Sequence, residues 1–217
     1  MAISCLQDRL QSKMYHSRTD ESTSAFKEPY GFNEEHLDFL IRGCIKFERE
    51  SQNKLYQLFS PKMFAVCFRY SRSREEAEDT LHEGFMKVFE NIQHFEHAGS
   101  LEGWIRKIMV NTALQKYRKN SKLFVIVNLD DISAALNQPY TDDILGQISA
   151  KELMEMIQQL PPKYQMVFNL YVFENMKHRE IAKALGISEG TSKSNLSDAR
   201  SILQRTISRN SKMAELA

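Results

Sequence analysis

Glycine and proline are scarce in this sequence, which holds 8 and 5 of them among its 217 residues. Both residues weaken helices and are frequent in the turns of sheet proteins, so their scarcity argues against a turn-rich β fold. The frequent residues are helix formers such as Leu, Met, Lys, Glu, Gln and Arg. The chain is also longer than the commonest single domain. The sequence therefore predicts an all-α fold of two small helical domains joined by a flexible linker.

Long apolar segments are absent as well. No run approaches the roughly 20 apolar residues that a helix needs to span a bilayer. The first residues, MAISCLQDRLQSKMYHSRTDES, lack the apolar core of a secretion signal. We therefore expect a cytoplasmic protein.

Residues with metal-binding or catalytic chemistry are few and scattered. Cys5, Cys44 and Cys67 are widely spaced and form no CxxC pair, which predicts neither a disulfide nor a zinc site. His94 and His97 lack a third ligand at helical spacing, so no metal site is expected there. The sequence holds no P-loop, nucleophile elbow or glycine-rich phosphate cradle. We expect no cofactor, no small-molecule substrate and no catalytic activity.

The net charge of +1 hides two segments of opposite sign. Residues 106–122 carry six basic residues and no acid, whereas residues 74–90 carry six acids and two bases. Such a distribution predicts two surfaces for two different partners. The basic segment supplies the candidate cations for a nucleic-acid strand, namely Arg106, Lys107, Lys116, Arg118 and Lys119.

Composition and periodicity divide the chain into five parts. Residues 1–32 form a polar leader, residues 33–122 a first domain, 123–149 a linker, 150–210 a second domain and 211–217 a tail. The first domain is predicted to begin with two helices over residues 34–70, broken at Ser60-Pro61. Ser73 is predicted to cap the acidic helix that follows.

Residues 178–200, HREIAKALGISEGTSKSNLSDAR, have the pattern of a helix-turn-helix. A first helix over about 178–185 ends at Gly186, which suits a left-handed C-cap, and Ser188 suits the N-cap of a second helix. Lys177 is a poor cap, so Asn175 is the predicted cap of the first helix. The second helix would project a polar set into a major groove: Glu189, Thr191, Ser192, Lys193, Ser194 and Asn195.

Individual residues of this motif suggest different DNA contacts. Lys177, Lys193, Arg200 and Arg205 suit phosphates, while the short side chains of Ser194 and Asn195 suit base edges. The simpler interpretation is a helical hairpin whose polar residues merely face water.

These residues resemble a known family. YVFENMKHREIAKALGISEGTSKSNLSDAR is similar to region 4 of the extracytoplasmic-function sigma factors, which are sigma-70-type bacterial RNA polymerase subunits. REEAEDTLHEGFMKVFENIQHF resembles the polymerase-binding helix of region 2 in the same family, and GSLEGWIRKIMVNTALQKYRKN resembles its promoter-melting helix. The resemblance implies a transcription initiation factor that binds core polymerase, recognises a promoter and promotes its melting.

The resemblance also implies roles for individual residues. The acidic helix would dock on the beta-prime subunit with Glu75, Glu76, Glu78, Asp79, His82 and Glu83. In the promoter-melting helix, Asn111 would read a flipped base, and Trp104 is expected to pack in the core. The loop residues Phe95, Glu96 and His97 resemble the variable loop beside the base pocket. Region 4, with Lys177, Ser188 and the second helix, would bind the minus-thirty-five element.

The implied partners are the beta-prime and beta subunits of core polymerase and promoter DNA, both as duplex and as melted strand. A membrane-anchored anti-sigma factor is a further partner that the resemblance suggests. The alternative function is a stand-alone helix-turn-helix regulator. Such a regulator has no need for an acidic helix followed by a basic one, which favours the initiation factor.

Overall fold

A computed structural model describes residues 34–124 and 150–215. Helices account for nearly all of these ranges, and no strand occurs in them, which confirms the all-α prediction. The predicted leader and linker lie outside the described residues, and the predicted domain boundaries stay predictions. The helices are α1 (Glu34–Ile45), α2 (Arg49–Tyr70), α3 (Arg74–Asn91), α4 (Leu101–Phe124), α5 (Ala150–Gln158), α6 (Pro162–Val172), α7 (His178–Leu185) and α8 (Glu189–Glu215), with a short 3-10 helix at Ile92–His94.

The helices form two compact units, one containing α1 to α4 and the other α5 to α8. Within the described ranges, none of the helices is both long enough and apolar enough to cross a membrane.

The predicted break at Ser60-Pro61 is wrong, because α2 runs through Pro61. Proline at this position removes the hydrogen bond to the carbonyl of Gln57, and the helix tolerates this loss at a site where both residues are exposed. The break lies earlier, where Phe47 adopts a left-handed conformation with φ of 59°. The amide of Glu48 donates to the carbonyl of Gly43 at 3.0 Å, which closes α1 by a Schellman-type end.

Helix α3 begins as predicted at the N-cap Ser73, whose side chain accepts a hydrogen bond from the amide of Glu76 at 3.2 Å. Its apolar stripe is buried in the core of the first unit. The ring of Phe85 packs against Tyr56 of α2, with ring centroids 4.6 Å apart. The buried members of the stripe are Ala77, Leu81, Phe85 and Val88, and Ile92 continues it in the 3-10 helix.

Helix α4 crosses α3 closely at Gly84. A Cβ added to Gly84 would overlap the sulfur of Met109, which is fully buried on α4. Polar contacts flank this crossing, since the ammonium of Lys87 donates to Gln115 Oε1 at 2.9 Å and to Thr112 Oγ1 at 3.3 Å. The crossing thus brings the acidic helix and the basic helix into direct contact.

The second unit contains a helix-turn-helix. Helix α7 ends at Gly186, which has φ of 69° and ψ of 32°, a left-handed C-cap that glycine adopts at little cost. Ser188 then caps α8, because its hydroxyl accepts from the amide of Thr191 at 2.9 Å. Ile181 of α7 is fully buried, and Leu196, Ala199 and Leu203 form the buried stripe of α8.

The predicted capping of α7 by Asn175 is wrong. The N-cap is Lys177, whose side chain has no hydrogen-bond acceptor. The carboxylate of Glu180 compensates by accepting from the amide of Lys177 at 2.7 Å. Asn175 instead adopts a left-handed turn conformation with φ of 55°.

Burial makes two thiols unreactive in the folded chain. Cys44 and Cys67 are fully buried, and burial raises the pKa of Cys44 to about 11 and that of Cys67 to about 12. At about pH 8 both are therefore protonated. We expect iodoacetamide to leave the Cys44 and Cys67 peptides unlabelled under conditions that label free glutathione, and to label both in denaturant. Fast native labelling in mass spectrometry would contradict this packing.

Replacing the N-cap of α3 tests how much the hydrogen bond of Ser73 stabilises the first unit. Ser73→Ala removes the acceptor for the amide of Glu76 and should cost about 1 kcal/mol of unfolding free energy, whereas Ser73→Asp keeps an acceptor there. Trp104, the one tryptophan of the chain, lies in the same unit, so its fluorescence follows this unit during urea unfolding. Equal stability of the Ala and Asp variants would show that the cap contributes nothing.

Candidate partner-binding and nucleic-acid surfaces

The exposed face of α3 is a single row of side chains at steps of three and four residues. We call this set the outer row of α3: Glu75, Asp79, His82, Met86 and Glu90. His82 lies parallel to the ring of Tyr56, at a centroid distance of 6.3 Å and an interplanar angle of 7°. The row therefore combines carboxylates with one imidazole and one thioether.

Met86 was missed by sequence reasoning. Its side chain is 61% exposed, although methionine is usually buried. The sequence contained a usable signal, since Met86 lies four residues after His82 and thus on the same face of the helix. Because methionine is enriched in protein interfaces, this exposed side chain marks the row as a candidate binding surface.

The other predicted docking acids are engaged within the chain. Glu76 accepts from the amide of Arg72 at 2.7 Å, and Glu78 pairs with Arg74 at 2.8 Å. Glu83 pairs with Lys87 at 2.7 Å and with Lys116 of α4 at 3.6 Å. The hydrogen bond from Lys87 is the main reason that the pKa of Glu83 is lowered.

Helix α4 exposes a second row, which we call the outer row of α4: Lys107, Asn111, Gln115 and Arg118. Lys119 is exposed next to it. Arg106 is half-buried, and Lys116 is mostly covered because it pairs with Glu83. The predicted cations therefore divide into an exposed set and a set that contacts the rest of the unit.

Aromatic rings cluster at the start of α4. Trp104 is half-buried and packs on Phe95 with centroids 5.6 Å apart, and Phe95 packs on His97 at 4.7 Å. His97 has φ of 56° and lies 3.7 Å from the carboxylate of Asp38. The loop and the helix thus form one aromatic corner. Trp104 contributes to packing there, as expected, while keeping part of its surface exposed.

The second helix of the motif exposes fewer of the predicted residues than the sequence suggested. Glu189, Thr191, Lys193 and Ser194 are exposed, and Glu189 pairs with Lys193 at 2.8 Å. The predicted outward orientation of two residues is wrong: Ser192 is 0% exposed and Asn195 is 9% exposed. Both lie on the side of α8 that faces the core, because they precede buried Leu196 and Ala199 by four residues.

Buried Ser192 belongs to a polar cluster that joins three helices. Its hydroxyl lies 3.0 Å from Nδ1 of His178, at the start of α7. His178 stacks on Tyr171 of α6 at 4.8 Å, and the guanidinium of Arg200 lies over the same tyrosine ring at 5.5 Å. Burial lowers the pKa of Arg200 below its usual value. This half-buried arginine therefore contributes to packing, and its predicted phosphate contact stays a prediction.

Among the described residues, no group of three His, Cys, Asp or Glu side chains could hold a metal ion. The geometry instead consists of two exposed helical rows in the first unit and a helix-turn-helix in the second.

Comparison with protein families matches both units. The profile described as "Sigma-70 region 2" matches residues 55–123, and the one described as "Sigma-70, region 4" matches residues 150–203. Together the two matches span more than half of the chain.

Curated relatives carry consistent names. The chain is 26% identical over 167 residues to the ECF RNA polymerase sigma factor SigE of Mycolicibacterium smegmatis, which covers 74% of this chain and 63% of that protein. The chain thus spans less than two thirds of SigE. It is 25% identical to two sigma factors of Bacillus subtilis: SigM, with 72% of this chain and 95% of SigM covered, and SigW, with 77% and 94% covered.

Among solved structures, the chain is similar to the sigma factor RpoE of Bartonella quintana, crystallised with the anti-sigma factor NepR. The TM-score is 0.43 at 22% identity, covering 70% of this chain and 94% of that one. The two region profiles and the named relatives show that the chain belongs to the sigma-70 family of RNA polymerase sigma factors, in its extracytoplasmic-function group.

Proposed function

We propose that this sigma factor docks on core polymerase through the outer row of α3, holds the melted minus-ten strand along the outer row of α4, and reads the minus-thirty-five element with α8. The observation that carries the proposal is the direct contact between α3 and α4, which places an acidic row and a basic row on one unit. In this role the chain works in the cytoplasm and performs no chemistry of its own, since it lends specificity to the polymerase.

Docking needs a surface that is exposed and complementary to a basic partner. Asp79 and Glu75 offer carboxylates to such a surface, and Met86 offers an apolar anchor between charges. Apolar anchors surrounded by polar groups carry most of the binding energy of many interfaces, while the charges speed association. An anti-sigma factor that blocks assembly would need to cover the same row.

Strand capture needs cations beside groups that can read a base. Melting disrupts stacking worth about 1.4 kcal/mol per base-pair step, so an opening factor must bind the separated strand. Lys107 and Arg118 of the outer row suit the phosphates, and Asn111 between them has both donors and an acceptor for a base edge. The aromatic corner of Phe95 and Trp104 adds ring surface on which an unpaired base can stack.

Duplex reading is assigned to the exposed residues of α8. Thr191 and Ser194 provide short polar groups near the start of the helix, the part that helix-turn-helix proteins direct at base edges. Lys193 beside them suits a phosphate, and Glu189 partly neutralises it in the free chain. This pairing reduces the charge that Lys193 offers to phosphates in the free chain, which fits a protein that binds duplex DNA as part of the polymerase.

Charge reversal on the outer row of α3 tests the docking surface. We expect Asp79→Lys to weaken binding to core polymerase by about tenfold or more, because it places a cation against a basic surface. Met86→Ala should weaken it several-fold by removing the apolar anchor. The measurement is a fluorescence titration of labelled chain with purified core enzyme.

Glu50→Lys is the matched control for this titration. It makes the same kind of charge reversal on an exposed carboxylate of α2, where it breaks a surface ion pair with Lys54. Its affinity should stay within about twofold of wild type, as surface pairs contribute little. Equal affinity of all three variants and wild type would contradict docking through this row.

Two substitutions on α4 separate base reading from phosphate binding. Asn111→Ala should lower holoenzyme affinity for a single-stranded minus-ten oligonucleotide only when one particular base is present. Lys107→Ala should lower it for every sequence and reduce the salt slope by about 0.7. Titrations against oligonucleotides with single-base changes distinguish the two. A uniform loss for Asn111→Ala would show that it does not read a base.

A further inference from the structure

One hydrogen bond connects the two helices of the helix-turn-helix. The Ser192 hydroxyl of α8 lies 3.0 Å from Nδ1 of His178 on α7, and Ser192 has no exposed surface. A buried hydroxyl needs a hydrogen-bond partner, and at a fully buried position that partner must come from the protein. Ser192 also lies between exposed Thr191 and Lys193. Any shift of Ser192 therefore moves the residues that are proposed to meet DNA.

The imidazole of His178 is itself held in place. It stacks on Tyr171 of α6 with centroids 4.8 Å apart and an interplanar angle of 24°. Arg200 of α8 lies over the same tyrosine ring, at 5.5 Å from its centroid. The ring thus cannot change its orientation without losing contacts to two other helices.

We propose that His178 is a positioning residue for promoter recognition. Its neutral imidazole fixes the position of α8 by accepting, at Nδ1, a hydrogen bond from the hydroxyl of Ser192. The inference rests on the proposed role of α8 in reading duplex DNA. It adds a residue that contacts no DNA itself, and it makes recognition of the minus-thirty-five element sensitive to pH.

The charges around the imidazole favour its neutral form. Lys193 and Arg200 of α8 oppose a positive charge on the ring, while Glu189 of α8 favours one. On α7 itself, Lys177 precedes His178 in the sequence, Arg179 and Glu180 follow it with opposite charges, and α6 contributes the stacked Tyr171. Burial is the largest cause that lowers the pKa of His178 below 6.5.

Protonation would change the contact in a defined way. Nδ1 of an imidazolium carries a proton and can only donate, so the hydroxyl of Ser192 would have to turn its own proton elsewhere. The new charge would lie against the same tyrosine ring that Arg200 contacts. Because the folded pKa lies below the unfolded value, the stabilisation by His178 is complete above about pH 6.5 and is lost as the pH falls below that value.

Two substitutions separate the hydrogen-bond acceptor of the imidazole from its stacking on Tyr171. His178→Asn keeps an acceptor near the position of Nδ1 but cannot titrate, whereas His178→Phe keeps a ring on Tyr171 but offers no acceptor. Each is assembled with core polymerase and titrated with two DNAs between about pH 8 and pH 5, the range in which histidine titrates. One DNA carries the minus-thirty-five element, and the other is a premelted template without it.

We expect His178→Phe to lose about fivefold in affinity for the first DNA at neutral pH, the size of one ordinary hydrogen bond, and to bind the second as wild type does. Ser192→Ala should lose a similar amount, and the double variant no more than either single one. Wild type should lose affinity for the first DNA as the pH falls, and His178→Asn should not.

The outcomes separate this inference from the proposed function. A wild-type holoenzyme that gains nothing from the minus-thirty-five element would overturn the role of α8 and this inference with it. If His178→Phe keeps the full gain in affinity from the minus-thirty-five element, this inference fails while the role of α8 stands. The same holds if His178→Asn keeps the pH response of the wild type. Equal losses on both DNAs would also overturn it, since they indicate a general folding defect.

The unsubstituted chain provides a test that does not depend on how a variant folds. In a histidine titration by nuclear magnetic resonance, the His178 ring should titrate below pH 6.5, and the amide signals of Ser192 and Lys193 should move with it. Titration of His178 without movement of those amides would contradict a positioning role.

Discussion

The crossing of α3 and α4 at Gly84 is the constraint on which the first unit depends. Without a Cβ at this position, Met109 packs against the backbone of α3, and the two helices approach closely. Lys87 then reaches Thr112 and Gln115 across the interface. Because the contact is both apolar and hydrogen-bonded, the two outer rows belong to one body. The proposed polymerase docking and strand capture would therefore use one rigid unit rather than two separately mobile helices.

Internal ion pairs explain how a nearly neutral chain can serve a nucleic-acid function. Lys116 is paired with Glu83, and Lys193 with Glu189, so cations in both units are partly neutralised within the free protein. Duplex affinity depends on the number of phosphates that cations can neutralise. We therefore expect the chain alone to bind unspecific DNA weakly and the polymerase to provide the remaining contacts. Dependence on the polymerase for DNA binding would distinguish a sigma factor from a stand-alone regulator.

Features governed by neighbouring residues were predictable from the sequence. The cap at Ser73, the left-handed Gly186 and the cap at Ser188 follow from local chemistry, and the structure confirms them. The end of α1 was missed because Phe47, rather than a glycine, adopts the left-handed conformation there. Pro61 was predicted to break the helix. The sequence does not show that Gln57, whose carbonyl loses its hydrogen bond to residue 61, is exposed.

The site was harder to predict where a role depends on distant contacts. Ser192 looks like a DNA-reading residue in the sequence, since its partner His178 is 14 positions away on another helix. Arg200 looks like a phosphate ligand until its place over Tyr171 is known. In both cases the side chain faces the core because of how α6, α7 and α8 pack together. Met86 was missed for a different reason, because the apolar stripe and the charged residues of its helix were considered and an apolar residue on the exposed face was not.

The most direct test of the central claim is transcription by purified core polymerase on genomic DNA fragments, with and without this chain, followed by mapping of the RNA ends. A sigma factor should produce discrete start sites that require the chain and share sequence elements at fixed distances upstream. Start sites that are the same without the chain, together with tight sequence-specific binding of duplex DNA by the chain alone, would contradict it and identify a stand-alone regulator.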